Sequence, residues 1–331
     1  MARDAGFELA GVAALGPAAT AGAYRRWLER GDQAGMAWME RNVGLRADPR
    51  GLLEGARSAL VVGYRYAPRP PVADEGELWP RVARYAHGRD YHEVLRVRLK
   101  ALAAAIETAL PGCRSRVCVD TAPLLERELA ARAGVGAVGK NTNLLHPEHG
   151  SWFLLGEILL TAELAPDSPL ADLCGACTRC LDACPTGALP APFRLDARRC
   201  LSYWTIEHRG EIEEAYRPHV AERTFGCDIC QEVCPWNRDV GEAAGEELAP
   251  APARRRLDLV GLLRMGEAEY AEAFRGSALE RARREGLRRN AALALAGDQR
   301  PAARAALAEA AGDPAPAVAG AARWALAARR D

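Results

Sequence analysis

Three observations in the 331-residue sequence define an α+β multidomain protein. Strand and helix signals alternate through residues 1–165, eight of the ten cysteines fall between Cys174 and Cys234, and the remainder is almost wholly helix-forming. They predict an α/β layered first domain (1–165), a cysteine-rich, ferredoxin-like domain (166–245) and an α-helical, HEAT-like tail (246–331). A chain of this length supports two or three cores rather than one.

Each element has its own signal. SALVVGYRYA (58–67) is a short apolar run of the kind that forms a buried strand. From Asp90 to Leu110, Val94, Leu95, Leu99, Leu102 and Ile106 recur at helical spacing. RVCVD, ending at Asp120, reads as a second strand. TAPLLERELAARAG follows as a helix with Pro123 in its first turn and Gly134 at its end. SWFLLGEILLTAEL (151–164) fits helix or strand. A proline-containing linker, EELAPAPARRR (246–256), leads into the tail. There, a shift of 31 residues aligns Leu293 with Trp324 and Leu295 with Leu326, the mark of stacked helix pairs, with a plain alanine-rich bundle as the alternative.

Composition excludes several classes. The 44 basic and 44 acidic residues balance, so any nucleic-acid signal must be local. Hydrophobic residues at 49% and charged residues at 27% exclude wholesale disorder. No apolar run is long enough to span a bilayer, and the N-terminus does not read as a secretory signal, so a cytoplasmic protein is expected.

The cysteines carry the most specific signal. CGACTRCLDACPTGA places Cys174, Cys177, Cys180 and Cys184 at the spacing C-x2-C-x2-C-x3-C-P. Three thiolates on one tight loop can cap three corners of a cubane, while the fourth reaches a second cluster. CDICQEVCPWN supplies Cys227, Cys230 and Cys234, with Thr224 in the place of a leading cysteine. Cys200, upstream, completes the set. One 4Fe-4S cluster then takes Cys174, Cys177, Cys180 and Cys234, and the other takes Cys184, Cys200, Cys227 and Cys230. Zinc is the competing metal, since four-cysteine zinc sites also use paired spacings. Cys113 and Cys118 have no such spacing and read as buried thiols.

Polar clusters mark the first domain. Asp120 closes a strand before a helix, a position that suits either a helix N-cap or a general acid facing a cavity. GVGAVGK (134–140) lies after a helix rather than a strand, which excludes a dinucleotide loop. Its glycines admit a bulky ligand, and Lys140, Asn141, Thr142 and Asn143 offer donors; a helix C-cap and polar turn is the alternative. ARYAHGRDYH gathers Tyr85, His87, Arg89, Asp90, Tyr91 and His92 into a ligand-facing loop. MAWMERNVGLRADPR adds Arg41, or else forms an amphipathic helix with Trp38 in the core.

Together, VDTAPLLERELAARAGVGAVGKNTNLL, the two cysteine runs, RRCLSYWTIEHRG and LRRNAALALAG resemble the epoxyqueuosine reductases from about residue 25 onward. The resemblance implies a cobalamin-dependent iron–sulfur enzyme, related to reductive dehalogenases, that converts epoxyqueuosine to queuosine at the wobble position of tRNA. It implies that Asp120 is the proton donor, with a pKa raised by burial against the corrin. It implies cobalamin contacts from Arg41, Tyr85, His87, Asp90, Tyr91, His92, Asp120, Lys140, Asn141, Asn143 and Ser202. It also implies a monomer that takes electrons from an unidentified reductant. A corrinoid dehalogenase acting on a small molecule and a plain electron carrier are the rival readings.

A tRNA substrate needs cations. Residues 281–304 carry seven arginines against Glu285 and Asp298, and Arg254, Arg255 and Arg256 add to them. Arg281, Arg284, Arg288 and Arg289 are the expected phosphate contacts, with a solvated helix face as the alternative. Tyr203 and Trp204 are candidates to stack on an everted base, Trp204 equally a core residue.

Overall fold

The computed structural model describes residues 1–66, 81–241, 246–249 and 257–328. Its strands are β1 (Leu9–Ala14), β2 (Ser58–Arg65), β3 (Arg81–Val82), β4 (Ser115–Cys118), β5 (Ala137–Val138), β6 (Leu144–Leu145), β7 (Phe153–Leu160) and β8 (Arg223–Phe225). Its helices are α1 (Ala21–Glu29), α2 (Val43–Ala47), α3 (Tyr91–Ala109), α4 (Glu126–Arg132), α5 (Arg179–Asp182), α6 (Arg217–Ala221), α7 (Ile229–Glu232), α8 (Leu259–Arg264), α9 (Glu267–Phe274), α10 (Arg283–Ala294), α11 (Pro301–Ala310) and α12 (Pro316–Ala328).

The first layer is a four-stranded sheet in the order β1-β2-β7-β4, antiparallel at every pairing. SWFLLGEILL resolves as strand, because β7 is central and apolar side chains are needed on both faces. Its even positions, Ile158 and Leu160, pack with Leu95, Leu99 and Ile106 of α3. Its odd positions, Phe153 and Leu159, pack with Leu129 and Ala130 of α4. The sheet is therefore sandwiched between two helices, and the ends of β4 and α3 meet at one edge.

Three departures from expectation matter. Helix α4 starts at Glu126, six residues beyond Asp120, and Leu125 holds its N-cap position. Asp120 is therefore no cap; residues 119–125 form a loop in which Asp120 takes a left-handed φ of +44°. The segment around Trp38 is a single 3-10 turn, broken from α2 by left-handed Asn42 (φ +58°), and Trp38 lies outside the core. The third concerns the core of the helical tail, which includes Leu201, Trp204, Ile206, Val220 and Phe225. The stretch between the two cysteine runs thus packs with the tail, although it precedes the boundary expected at 246. Within that tail Leu293 and Leu295 are buried, with Trp324 and Leu326 half-buried against the same core. The Arg254–Arg256 run lies outside the described residues.

Candidate active site and cluster-binding segment

The polar site grows from the start of α3. Asp90 is its N-cap, accepting from the His92 backbone N–H at 2.9 Å. The same oxygen lies 2.7 Å from His92 Nδ1, while His92 Nε2 lies 2.9 Å from Asp120 Oδ2. One imidazole is therefore clamped between two carboxylates. Burial works against a charged ring, but the hydrogen bonds to Asp120 and Asp90 outweigh it and push the His92 pKa up to about 9. His92 is an imidazolium at neutral pH.

Asp120 behaves contrary to the sequence expectation. Burial would raise its pKa, yet the His92 hydrogen bond and charge, then the Tyr91 hydroxyl and Arg281, hold it below the ordinary carboxylate range. The resting proton therefore belongs to His92 Nε2. The Asp120 side chain is 52% exposed, so the carboxylate looks out of the site while His92, at 24%, stands behind it.

Aromatic groups frame this mouth. Tyr91 stacks on His92 with centroids 4.1 Å apart, and Tyr85 meets Tyr91 edge-on. Burial, then the charges of Asp228 and Asp120, push the Tyr85 hydroxyl far up, so it stays a proton donor. Arg281 reaches in from the tail, bonded to Glu207 at 2.9 Å and lying over the Trp38 ring at 4.9 Å. Trp38 and Glu207 were not singled out as site residues; their one signal was proximity to motifs already marked. Arg41 is exposed, and its backbone N–H donates to the Trp38 carbonyl at 3.3 Å.

Other expected ligand contacts face elsewhere. His87 is buried and donates from Nε2 to the Val82 carbonyl at 3.0 Å. Lys140 Nζ donates to the carbonyls of Gly175 (2.6 Å) and Cys177 (2.9 Å). Asn141 Nδ2 donates to the Cys230 carbonyl at 3.2 Å, and Asn143 Nδ2 lies 3.8 Å from the Cys230 sulfur. Ser202 bonds to the Cys200 sulfur. The KNTN loop and Ser202 therefore brace the cysteine loops, because donors are needed around sulfur that must carry negative charge.

The eight cysteines lie near one another. Cys180 faces Cys174 and Cys234, and Cys234 faces Cys174 and Cys177. Cys200 faces Cys184, and Cys230 faces Cys200 and Cys227. Cys180 also neighbours Cys230, so the two groups of four adjoin. Thr224 is buried in β8, and Cys200 stands with Cys227 in its stead. Burial pushes the Cys227 thiol up to about 12 and Cys230 well above its usual value. The Ile229 backbone N–H opposes this at Cys227, and elsewhere the Ala188 N–H donates to Cys184 Sγ at 3.2 Å and the Lys140 N–H to Cys174 Sγ at 3.4 Å. Two sets of four thiols ringed by N–H donors fit iron–sulfur cubanes. Among the described residues no three His, Cys, Asp or Glu side chains converge on a single ion.

The tail arginines are mostly spoken for. Arg289 is 1% exposed and donates to three backbone carbonyls. Arg288 is buried against the Leu263 carbonyl and Asp313. Arg284 pairs with Glu267 and Arg300 with Asp298. Neither Arg288 nor Arg289 is free to meet a phosphate, and the local positive charge is largely cancelled by partners distant in sequence. Trp204 is likewise core, packed on Tyr216 and His208.

A clamped imidazolium–carboxylate pair beside a double four-thiol segment defines an iron–sulfur oxidoreductase of the two-cluster type. A family model described as a 4Fe-4S double cluster binding domain matches residues 173–237, and one described as epoxyqueuosine reductase QueG, DUF1730, matches residues 46–121. The epoxyqueuosine reductase of Synechococcus sp. (strain CC9605) is 44% identical over 278 residues, covering 82% of this chain and 84% of that one. The Xanthomonas campestris enzyme is 41% identical over 306 residues, covering 89% and 84%. A crystal structure of epoxyqueuosine reductase with an epoxyqueuosine-modified tRNA-Tyr stem loop superposes with a TM-score of 0.89 at 32% identity, covering 100% of this chain and 88% of that one. The chain belongs to the epoxyqueuosine reductase family. Among the described residues no helix is long and apolar enough to cross a membrane.

Proposed function

We propose that this chain reduces epoxyqueuosine to queuosine in tRNA, with Asp120 and His92 supplying the proton to the departing epoxide oxygen. The observation that carries this is the Asp90–His92–Asp120 clamp at an open mouth, in a chain whose family and cluster segment supply substrate class and electrons. Converting an epoxide to an alkene takes up two electrons and two protons and releases water. As the carbon–oxygen bond breaks, the oxygen becomes far more basic than a carboxylate. His92 Nε2 hands its proton across the 2.9 Å contact to the Asp120 carboxylate, which passes it to that oxygen, and solvent refills the pair with the second proton needed to release water. Asp90 holds the ring's other nitrogen, which fixes its orientation. Tyr85 and Tyr91 present aromatic faces and hydroxyls that stay protonated.

Tyr85, Tyr91, His92 and Asp120, with Arg41, would border a bound cobalamin. When bound, the corrinoid supplies low-potential reducing chemistry that side chains lack. The group of Cys184, Cys200, Cys227 and Cys230 lies on the side of this mouth, since Cys230 neighbours Tyr66, and Tyr66 neighbours Tyr85. The other group lies by a surface cleft of about 610 Å³ lined by Arg179, Asp182, Glu232, Cys234, Pro235 and Arg238. That cleft is where a reductant would approach. For the tRNA backbone, a cleft of about 380 Å³ beside the Asp120 loop, lined by Arg96, Lys100, Arg116 and Thr121, offers cations that Arg288 and Arg289 do not.

The test is anaerobic. The protein is loaded with iron, sulfide and cobalamin, reduced, and given tRNA bearing epoxyqueuosine; the digested tRNA is then searched for queuosine by mass spectrometry. Conversion by wild type and its loss in Asp120→Asn are expected. No conversion by a protein carrying both clusters and cobalamin would overturn the assignment in favour of a small-molecule substrate.

A further inference from the structure

Cys200 lies in neither cysteine run, so a shared loop does not set its position. A 3-10 turn, Ala197–Arg199, leads straight into it. Asp196 caps that turn, accepting from the Arg198 N–H at 3.0 Å, and the Cys200 N–H donates to the Ala197 carbonyl at 3.0 Å. The turn in turn rests on the end of α1 and the loop after it. The Asp32 carbonyl accepts from the Ala197 N–H at 2.7 Å, and the Trp27 indole N–H donates to the Leu195 carbonyl at 2.6 Å. Beyond Cys200, the Tyr203 hydroxyl accepts from the Gly35 N–H at 3.0 Å. Residues 27–35 therefore hold the chain on both sides of Cys200.

Asp32 is the centre of this clasp. It is 0% exposed, and its carboxylate takes four guanidinium contacts: Arg30 Nε at 2.8 Å, Arg194 Nε at 3.1 Å, Arg194 Nη2 at 3.2 Å and Arg198 Nη2 at 3.0 Å. Arg198 also donates from Nε to Asp196 at 2.8 Å, so one side chain joins Asp32 to the cap of the turn. A carboxylate withdrawn from water needs partners of this kind, and planar guanidinium groups fix direction as well as distance. The three arginine side chains keep 40%, 35% and 51% of their surface in solvent. Removing Asp32 therefore strands no buried charge, unlike the breaking of a fully buried ion pair.

We propose that Asp32 is a positioning residue for Cys200: by gripping Arg194 and Arg198 from the first domain, it sets the turn that presents this outlying thiol to its cluster. The consequence for iron rests on the assignment of Cys200 as a cluster ligand above; the hold on the turn is read without it.

Cluster-loaded wild type and Asp32→Ala are compared, with circular dichroism confirming the fold. Amide hydrogen exchange across residues 196–200 should be about tenfold faster in Asp32→Ala, the scale of one lost hydrogen bond, and unchanged across β7. Anaerobic release of iron to a chelator separates the clusters by phase. One cluster's iron should leave about tenfold faster in Asp32→Ala, while the other keeps its wild-type rate. In a Cys200→Ala background, adding Asp32→Ala should change release from the surviving cluster by less than about twofold, because the thiol it positions is gone. A merely structural role would speed both phases and persist in that background. Trp27→Phe keeps the ring but drops the bond to Leu195, and it should shift the same phase in the same direction even where Asp32→Ala does not fold. Wild-type exchange at the turn in folded Asp32→Ala overturns the proposal. So does equal acceleration of both iron phases, or wild-type release of both, in a protein whose Cys200→Ala variant loses a cluster. A loosened turn in Asp32→Ala, paired with a Cys200→Ala protein that keeps two intact clusters, upholds the hold on the turn and counts against the ligand assignment alone.

Discussion

Replacing Arg289 with alanine separates a folding role from a tRNA role at a residue whose sequence context pointed to phosphate. The guanidinium donates to the carbonyls of Trp204 (2.7 Å), His208 (3.2 Å) and Gly210 (2.7 Å), and to Asn290 Oδ1 at 3.0 Å. Asn290 in turn holds the carbonyls of Thr205 and Thr224. Burial, with Arg209 nearby, lowers the Arg289 pKa only to about 10, so it is charged at neutral pH. Its removal strands three carbonyl acceptors at about 1–2 kcal/mol each and opens a cavity, for a total of about 4–6 kcal/mol. That is a large share of the 5–15 kcal/mol by which a domain is typically stable. Because these carbonyls follow Cys200, the Arg289→Ala protein should also hold less iron. Urea unfolding, iron content and tRNA affinity across a salt series measure all three. A stability loss under about 1 kcal/mol together with a salt slope reduced by about one charge would refute the folding role and restore the phosphate contact.

Three further outcomes follow from the geometry. His92 should titrate near 9 by NMR and move down toward 6.5 in Asp120→Asn; its contribution to stability is fully present below 6.5 and is lost as pH rises through about 9, which thermal unfolding between those limits reads directly. Cys184→Ser should lower iron by one cluster while the group of Cys174, Cys177, Cys180 and Cys234 keeps its own, so spectroscopy that still shows two intact clusters would count against the grouping. Arg96→Gln and Lys100→Gln should each weaken tRNA binding and reduce the salt slope by about one, leaving iron content unchanged; an unaltered slope would remove the proposed phosphate cleft.

The cysteine segment was the most legible part of the sequence, because a cubane dictates spacing along the chain and that spacing survives without knowledge of the fold. Strands β2 and β4 and helix α3 were legible from periodicity for the same local reason. The electrostatics of the site were not. Asp120 was expected to hold a raised pKa, but the group that lowers it, His92, lies 28 residues away and reaches it through the packing of α3 on β4. Arg281, Arg284 and Arg288 looked like a basic rail, yet Glu207, Glu267 and Asp313 neutralise them from 74, 17 and 25 residues away. Lys140, Asn141 and Asn143 were rightly marked as donors, but a list of donors does not say which acceptor they meet.

The proton for the epoxide oxygen is stored on His92 and delivered through Asp120 in the mechanism proposed above. The single-turnover rate of queuosine formation against pH, for wild type and His92→Gln, tests it most directly. The wild-type rate should hold through neutral pH and fall as His92 deprotonates near 9, and the variant should be much slower and lack that alkaline limb. A variant with wild-type rate and the same alkaline limb would contradict it.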